Sequence, residues 1–218
     1  MEYTIPVDML KAALLSVSKE QTRNYLCGVF VQRREGVLRI VSTDGHRMFV
    51  GAINLEDGRQ YDFDAILPTA DVKKALTGCK DQFVQMSAQM SGEKPESVNW
   101  VIKLNGLEIT PMDATFPTFD KIVPTETSGV AADFDPRYYA DLGKAAKLLS
   151  NSETAMSIAQ NGLDPAIVSF GGRKDAFVVL MPRRNDMSPI TQADIGAIMG
   201  QPDRVADIEK AQAAEKAA

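Results

Sequence analysis

One plan occurs three times along this chain: a short strand, a helix of about three turns, and then further strands. The first copy opens YTIPVDMLKAALLSVS, the second DAILPTADVKKALTG and the third ADFDPRYYADLGKAAKLLS. A repeated supersecondary unit constrains the fold more strongly than composition does, because it sets the order of every element at once. The pattern predicts an α+β protein made of three β-α-β-β-β units.

The local signals agree with this plan. The three helices are predicted to begin at Asp8, Thr69 and Asp135, each of which has a proline one or two residues away. A small polar cap beside a proline satisfies the free N–H groups of a helix start. After each helix come apolar strands with turn residues between them. The predicted turns are Glu35-Gly36, Asp44-Gly45, Asn105-Gly106, Asn161-Gly162 and Gly171-Gly172.

The composition is ordinary for a globular protein. Of 218 residues, 44% are hydrophobic and 24% are charged, and no apolar run is long enough for a membrane helix. The N-terminus lacks the pattern of a secretory signal. The two cysteines, Cys27 and Cys79, lie far apart and fit no metal spacing. We therefore expect a reduced, cytoplasmic protein without a cofactor.

The helices carry basic residues away from their apolar stripes. The net charge of −5 argues against a protein that coats nucleic acid with its whole surface, but a local basic face can still bind DNA. On a single helix, such basic residues are explained by a solvent-exposed face. The presence of basic residues on all three helices favours one shared basic surface. The predicted DNA-facing residues are Lys11, Lys19, Arg23, Lys73, Lys74, Lys80, Arg137, Lys144 and Lys147.

Three motifs stand out along the chain: RNYLCGVFVQRREGVLRIVSTDGHRMFV, FPTFDKIVP and VVLMPRR. In this order they resemble the bacterial DNA sliding clamp, the β subunit of DNA polymerase III. The first two look like segments of the clamp's middle domain, and the third looks like the C-terminal strand of the whole clamp subunit. The resemblance covers about residues 1–184. It implies the DNA clamp fold, with helices on one face of antiparallel sheets.

The resemblance also predicts a division of the chain. Residues 1–126 are expected to form a complete clamp-like domain, from units 1–60 and 61–126. Residues 127–185 are expected to form a third β-α-β-β-β half-domain, and residues 186–218 a tail that is helical or disordered. Counterparts of the clamp's first domain, and of the first half of its last domain, are absent from this sequence. Ring closure is therefore not expected to follow the usual bacterial scheme.

A pocket for short peptides is implied by the same resemblance, between the middle and last domains. Its ligands carry a glutamine and apolar anchors, and a concave apolar site with a few polar groups suits them. The aliphatic members could equally be core residues. The predicted pocket residues are Leu26, Thr43, Gly45, His46, Arg47, Met48, Pro117, Lys121, Ile122, Val179, Leu180, Met181, Pro182, Arg183 and Arg184.

The alternative of a catalytic Asp44 and His46 pair is weaker. His46 is the only histidine, so a multi-histidine metal site is impossible, and no nucleophile, phosphate-loop or C-x-x-C motif is present. Asp44 is expected to accept hydrogen bonds within its own turn. We expect no enzyme activity and no metal, and at most the role of an accessory subunit of DNA polymerase.

Two functions remain open from the sequence. The first is a sliding-clamp-like platform that tethers replication or repair proteins, such as a polymerase or clamp loader, to double-stranded DNA. The second is a clamp-fold adaptor or competitor that binds the same peptides without encircling DNA. A homo-oligomeric ring is expected for the first, and four copies would supply the twelve helices that line rings of this fold. A trimer, a dimer and a capped monomer are the alternatives that the sequence leaves open. A third idea places the tail in the pocket, through Gln192, Asp194, Ile195 and Ile198.

Overall fold

The computed structural model describes residues 1–55, 62–91, 99–150, 155–184, 190–191, 194–195 and 198–199. Residues Met1–Arg183 form one compact unit, and Arg184–Ala218 form another. No helix among the described residues is long and apolar enough to cross a membrane.

Three helices and eleven strands occur among the described residues of the first compact unit. The helices are α1 (Val7–Ala13), α2 (Thr69–Ala75) and α3 (Pro136–Leu149). The 3₁₀ helix Gln21–Leu26 follows α1, and the 3₁₀ helix Asp120–Ile122 precedes α3. The strands are β1 (Glu2–Pro6), β2 (Gly28–Arg34), β3 (Val37–Thr43), β4 (Arg47–Asn54), β5 (Phe63–Pro68), β6 (Phe83–Ser91), β7 (Asn99–Leu104), β8 (Leu107–Ile109), β9 (Met156–Ala159), β10 (Ala166–Phe170) and β11 (Ala176–Leu180).

Two antiparallel sheets organise these strands. One has the order β1-β6-β7-β8 and the other the order β5-β2-β3-β4-β11-β10-β9. The first two units exchange their leading strands, since β1 pairs with β6 and β5 pairs with β2. This exchange ties the two units together, because neither sheet is complete without a strand from the other unit.

The third unit joins the first through strand pairing. Strand β11 pairs with β4, so that Met48 lies opposite Val179 and Arg47 lies opposite Leu180. The longer sheet therefore runs without interruption from the first unit into the third. The C-terminal end of the TDGHR turn, at His46 and Arg47, comes to lie next to the last strand, about 130 residues later in the chain.

Buried apolar residues form two clusters, one on each face of the longer sheet. The main core contains residues of all three helices and of both sheets. The second, which we call the outer cluster, lies on the face away from the helices. Strand alternation separates the two, so that Val178 and Leu180 belong to the main core and Val179 to the outer cluster. The outer cluster consists of Leu26, Phe30, Val41, Met48, Val50, Ile66, Phe116 and Val179.

The predicted α+β architecture of helices and antiparallel sheets is confirmed, but three local details differ. Helices α1 and α2 span only seven residues each. Their first turns start at Val7 and Thr69 without a side-chain cap, whereas Asp135 does cap α3 by accepting from the Arg137 N–H. Pro6 and Pro68 occupy the cap positions, because β1 ends at Pro6 and leads directly into α1, and β5 ends at Pro68 and leads directly into α2.

The third difference concerns the segment before α3. Its apolar pattern predicts a strand, yet none of the described residues 123–135 belongs to one. The physical reason lies in the strand exchange, because the leading strand of a unit pairs with the sheet of a second unit. The third unit has no such counterpart among the described residues. The division of the chain at residue 126 stays a prediction.

Most of the tail, residues 186–218, lies outside the described residues, including Gln192. Within the second compact unit, the Ile195 N–H donates to the Thr191 carbonyl (3.0 Å) and the Met199 N–H to the Ile195 carbonyl (2.9 Å). These four-residue spacings are typical of a helix.

Candidate functional site

The turn between β3 and β4 is held by the side chains at its first two positions. One carboxylate oxygen of Asp44 accepts from the backbone N–H groups of His46 (2.9 Å) and Arg47 (3.0 Å). Thr43 Oγ1 accepts from the Gly45 N–H at 3.0 Å, and Gly45 has a positive φ of 92°. The expected role of Asp44 within its own turn is thus confirmed, and its carboxylate contacts the backbone of His46.

Arg47 is the most buried charged residue of this turn, with 9% of its side chain exposed. Its Nε lies 3.1 Å from Asp44 and its Nη2 lies 2.9 Å from Asp141 of α3. The guanidinium also lies 4.8 Å from the ring centroid of Tyr138. Its Nη1 is buried and has no hydrogen-bond partner among the described residues. These contacts hold Arg47 inside the protein, where it links the turn to α3.

The last strand completes this region from the other side. The Met181 N–H donates to the His46 carbonyl at 2.8 Å, which extends the β4–β11 pairing into the turn. Three other predicted pocket residues, Leu26, Met48 and Val179, meet in the outer cluster. All three are almost completely buried, so they are packing residues.

A cavity of about 500 Å³ opens beside the junction, and we call it the α3 cavity. Four predicted pocket residues line it, together with the first turn of α3. The ring of His46 lies 6.3 Å from that of Tyr138, with an angle of 24° between their planes. The lining residues are His46, Asp135, Pro136, Arg137, Tyr138, Met181, Pro182 and Arg183.

The charges around the α3 cavity are partly paired. Arg137 Nη2 lies 2.7 Å from Asp135, and this contact lowers the pKa of Asp135 to about 2. Burial alone would raise the pKa of Asp141, but hydrogen bonds from Lys144 and Arg47 outweigh burial and lower it. Burial also raises the pKa of Tyr138, with Asp44 and Asp135 adding to the effect. His46 and Arg183 are exposed. Neither makes an ion pair within the described part of the chain.

The remaining predicted pocket residues are dispersed. Pro117 lines a second cavity of about 470 Å³, beside Phe30, Phe116 and Phe119. Leu180 faces the main core, on the opposite side of the sheet. Lys121 and Ile122 are exposed in the 3₁₀ helix Asp120–Ile122, and Arg184 is exposed in the second compact unit.

The predicted DNA-facing residues also divide. Six lysines are exposed on or directly after the three helices, and Lys11 is half-buried. Arg23 pairs with Glu20 at 2.6 Å, and its Nη1 would lie 3.0 Å from a Cβ atom at Gly45. Arg137 lines the α3 cavity. These two arginines therefore lie beside the candidate peptide site. The six exposed lysines are Lys19, Lys73, Lys74, Lys80, Lys144 and Lys147.

The contribution of α3 to the site was not predicted. Tyr138 and Asp141 lie on the helix flank next to the one that carries Leu142 and Leu149, and helical periodicity alone gives them no role. Charge pairing offered a signal, because a buried arginine such as Arg47 needs carboxylate partners and Asp44 supplies only one. No group of three or more His, Cys, Asp or Glu residues that could hold a metal occurs in the described residues.

Comparison with known proteins gives one family match. Residues 6–117 match the family described as DNA polymerase III beta subunit, central domain. The beta sliding clamp of Rickettsia bellii is 25% identical over 124 residues, which cover 55% of this chain and 32% of that protein. The beta sliding clamp of Chlamydia pneumoniae is 24% identical over 161 residues, covering 71% and 42%. This chain thus matches about a third to two-fifths of the length of these relatives.

Solved structures give the same picture of the fold. The DNA polymerase sliding clamp of Bacillus subtilis has a TM-score of 0.64 at 15% identity, over 85% of this chain and 64% of that one. The DNA polymerase III beta subunit of Thermotoga maritima has a TM-score of 0.62 at 12% identity, over 85% and 66%. At these identities the likeness concerns the fold alone.

Proposed function

The chain belongs to the DNA polymerase III beta subunit family, which it matches through the central domain, and on that premise we propose that it is a clamp-type platform. It tethers replication or repair proteins to double-stranded DNA and performs no chemistry itself. Partners bind through a short peptide with apolar anchors, and DNA is held by non-specific contacts to its phosphates.

The observation that carries this proposal is the meeting of the TDGHR turn with the last strand. The His46 carbonyl and the Met181 N–H are joined by a hydrogen bond of 2.8 Å between residues far apart in the chain. That junction creates the α3 cavity, where an apolar thioether and exposed basic side chains occur together. Methionine adapts to apolar side chains of different shapes, which suits a site with several partners.

The peptide occupies the α3 cavity. Met181 and Pro182 provide apolar contact, while His46 and Arg183 provide donors for peptide carbonyl or carboxylate oxygens. Met48 and Val179 are buried in the outer cluster and are not among the residues that line the cavity. A substitution at Met48 would therefore disturb packing, whereas one at the half-buried Met181 tests binding.

The test is the affinity of a fluorescein-labelled pentapeptide that carries one glutamine and leucine and phenylalanine anchors. Met181→Asp places a charge against the apolar anchors and is expected to weaken binding at least about tenfold. Leu163→Asp is the matched control, because Leu163 is exposed in the loop after β9, and it should bind like the unchanged chain. Equal affinity of both variants, or no binding by the unchanged chain, would refute the peptide site.

The second candidate is a clamp-fold adaptor that binds the same peptides but does not encircle DNA. The positions of Arg23 and Arg137 favour it, because these two predicted DNA-facing residues lie beside the candidate peptide site. Peptide binding together with free release from closed DNA circles would identify the adaptor.

A further inference from the structure

The first two units provide a template for how a unit is completed. In each, the residue directly before the helix pairs with the first residue of the strand that follows the other unit's helix. Pro6 lies opposite Phe83, and Pro68 lies opposite Gly28. The leading strand of one unit thus covers the edge of the other unit's sheet.

The third unit lacks this cover. The longer sheet is arranged as β5-β2-β3-β4 followed by β11-β10-β9, so the first and third units face each other across the β4–β11 pair. In this arrangement β9 is the counterpart of β2. Strand β5 covers the edge of β2, whereas no strand of the described residues covers the edge of β9.

The open edge of β9 has groups ready for pairing. The Gly171 N–H donates to the directly opposite Ala155 carbonyl at 2.9 Å, so alternate residues from Ala155 bond to β10. The N–H and carbonyl groups of Met156 and Ile158 therefore point to the open side. Strand β9 contains no charge and no proline, the usual protections of an edge, and Met156 is 37% exposed.

The segment before α3 keeps the side-chain pattern of a leading strand. Val130, Ala132 and Phe134 alternate with Ala131 and Asp133, as the buried Tyr3 and Ile5 alternate in β1. In this chain the segment crosses the end of its own sheet. The Gly129 N–H donates to the Gln160 carbonyl (3.0 Å), and the Arg183 N–H donates to the Asp133 carbonyl (2.6 Å).

We propose that a second copy of this chain completes the third unit, by a reciprocal exchange of residues 130–134. Each copy adds its leading segment, antiparallel, to the β9 edge of the other. In the first two units the residue two before the helix, Ile5 or Leu67, lies opposite the core-facing Val84 or Val29. Met156 and Ile158 are the core-facing residues of β9, because they lie opposite Phe170 and Val168. The same register therefore places Phe134 of one copy opposite Met156 of the other, and Ala132 opposite Ile158. The interface is two-fold symmetric, since each copy gives and receives the same strand.

This proposal does not depend on the peptide site or on DNA binding. The expected partner at the β9 edge is a second copy of this chain. Residues 130–134 resemble the leading strands β1 and β5, which already pair with sheet edges in the first two units. Two copies contain six units and leave no third-unit edge open.

Sedimentation equilibrium tests the interface. The unchanged chain is expected to form dimers or multiples of dimers, and Met156→Lys is expected to raise the dissociation constant at least about tenfold, because it places a charge at the new strand pair. Phe83→Lys introduces the same charge at an exposed apolar residue of the other sheet and should leave association unchanged. A monomer at every concentration, or unaltered association of Met156→Lys, would overturn the proposal.

A disulfide trap tests the register. With Cys27 and Cys79 changed to serine, Ala131→Cys and Ala159→Cys are combined in one chain. These positions would form a non-hydrogen-bonded antiparallel pair, whose close Cβ atoms suit a disulfide. Mild oxidation should give a covalent dimer from the double variant and none from either single variant. A folded double variant that keeps the mass of one chain, or dimers of the single variants, would contradict the exchange.

Discussion

Arg47 Nη2 lies 2.9 Å from Asp141 Oδ2, and this contact links the turn after β3 to helix α3. The same guanidinium contacts Asp44 in its own turn, so one buried cation joins two elements far apart in the chain. The first turn of α3 lines the candidate peptide cavity. The position of that cavity wall therefore depends on Arg47.

Loss of Arg47 is expected to destabilise the protein and to loosen the cavity wall. Arg47→Ala leaves Asp44 and Asp141 without their shared partner and should reduce the free energy of unfolding by about 2–3 kcal/mol. Urea denaturation measures the change. Lys144→Ala is the control, since Lys144 is an exposed partner of Asp141, and should cost less than about 0.5 kcal/mol. Equal effects of the two variants would show that Arg47 is not the link.

The crossing of α1 over β4 requires a glycine. A Cβ atom at Gly51 would lie 2.6 Å from Met9 Sδ and 3.2 Å from Phe49 Cε1. Gly51→Ala should therefore lower the free energy of unfolding by about 1–3 kcal/mol, because the core must shift to accept the methyl group.

The same change at Gly143 should have the opposite sign. No atom lies within 4 Å of a Cβ atom there, and Gly143 is inside α3, where alanine is favoured by about 1 kcal/mol. Thermal denaturation of the two variants gives the comparison. If Gly51→Ala is as stable as Gly143→Ala, the described contact between α1 and β4 is wrong.

Acid should weaken the cap of α3 in a defined window. The pKa of Asp135 is lowered from 3.8 to about 2 by its contact with Arg137. The folded state then binds fewer protons than the unfolded state, so this contribution is complete above pH 3.8 and is lost as the pH falls to about 2. Asp135→Asn keeps a capping oxygen but cannot titrate.

The expected result is a flatter dependence of the melting temperature on pH for Asp135→Asn across that window. Asp133→Asn, an exposed neighbour two residues away, should follow the unchanged chain. A pH profile of Asp135→Asn that is as steep as that of Asp133→Asn would contradict the assignment.

The basic helix faces are expected to set DNA affinity. Lys73 and Lys74 are exposed on α2, and replacing both with glutamate should weaken binding to duplex DNA and reduce the slope of log affinity against log salt by about 2. Lys103→Glu changes charge on β7, where the neighbouring Ile102 and Leu104 face the core and Lys103 faces away from it. An unchanged salt slope for the α2 variant would remove these lysines from the DNA surface.

Local sequence chemistry was sufficient for much of the fold. The predicted turns at Glu35-Gly36 and Asn105-Gly106 have positive φ at both residues, which is the two-residue hairpin geometry that such pairs favour. Their strands follow because a tight turn fixes the register of the strands on either side. The order of elements in the first two units was therefore predictable from the residues alone.

Long-range pairing was not predictable in the same way. Nothing local in β1 or β5 indicates that each pairs in the other unit's sheet, because any apolar strand satisfies the same alternation. The candidate site shows the same limit. His46 and Met181 were predicted from motifs, whereas Tyr138 and Asp141 enter the site only because α3 packs beside the turn. Burial places Met48 and Val179 in the outer cluster, which agrees with the alternative that aliphatic members of the predicted pocket are core residues.

Retention on closed DNA tests the proposed platform most directly. The protein, loaded on nicked circular DNA at a salt concentration that suppresses phosphate contacts, is separated from free chains by gel filtration before and after the circle is cut once. The account predicts retention on the circle and release on linearisation, because the link is topological. Equal release from the circular and linear forms would contradict it.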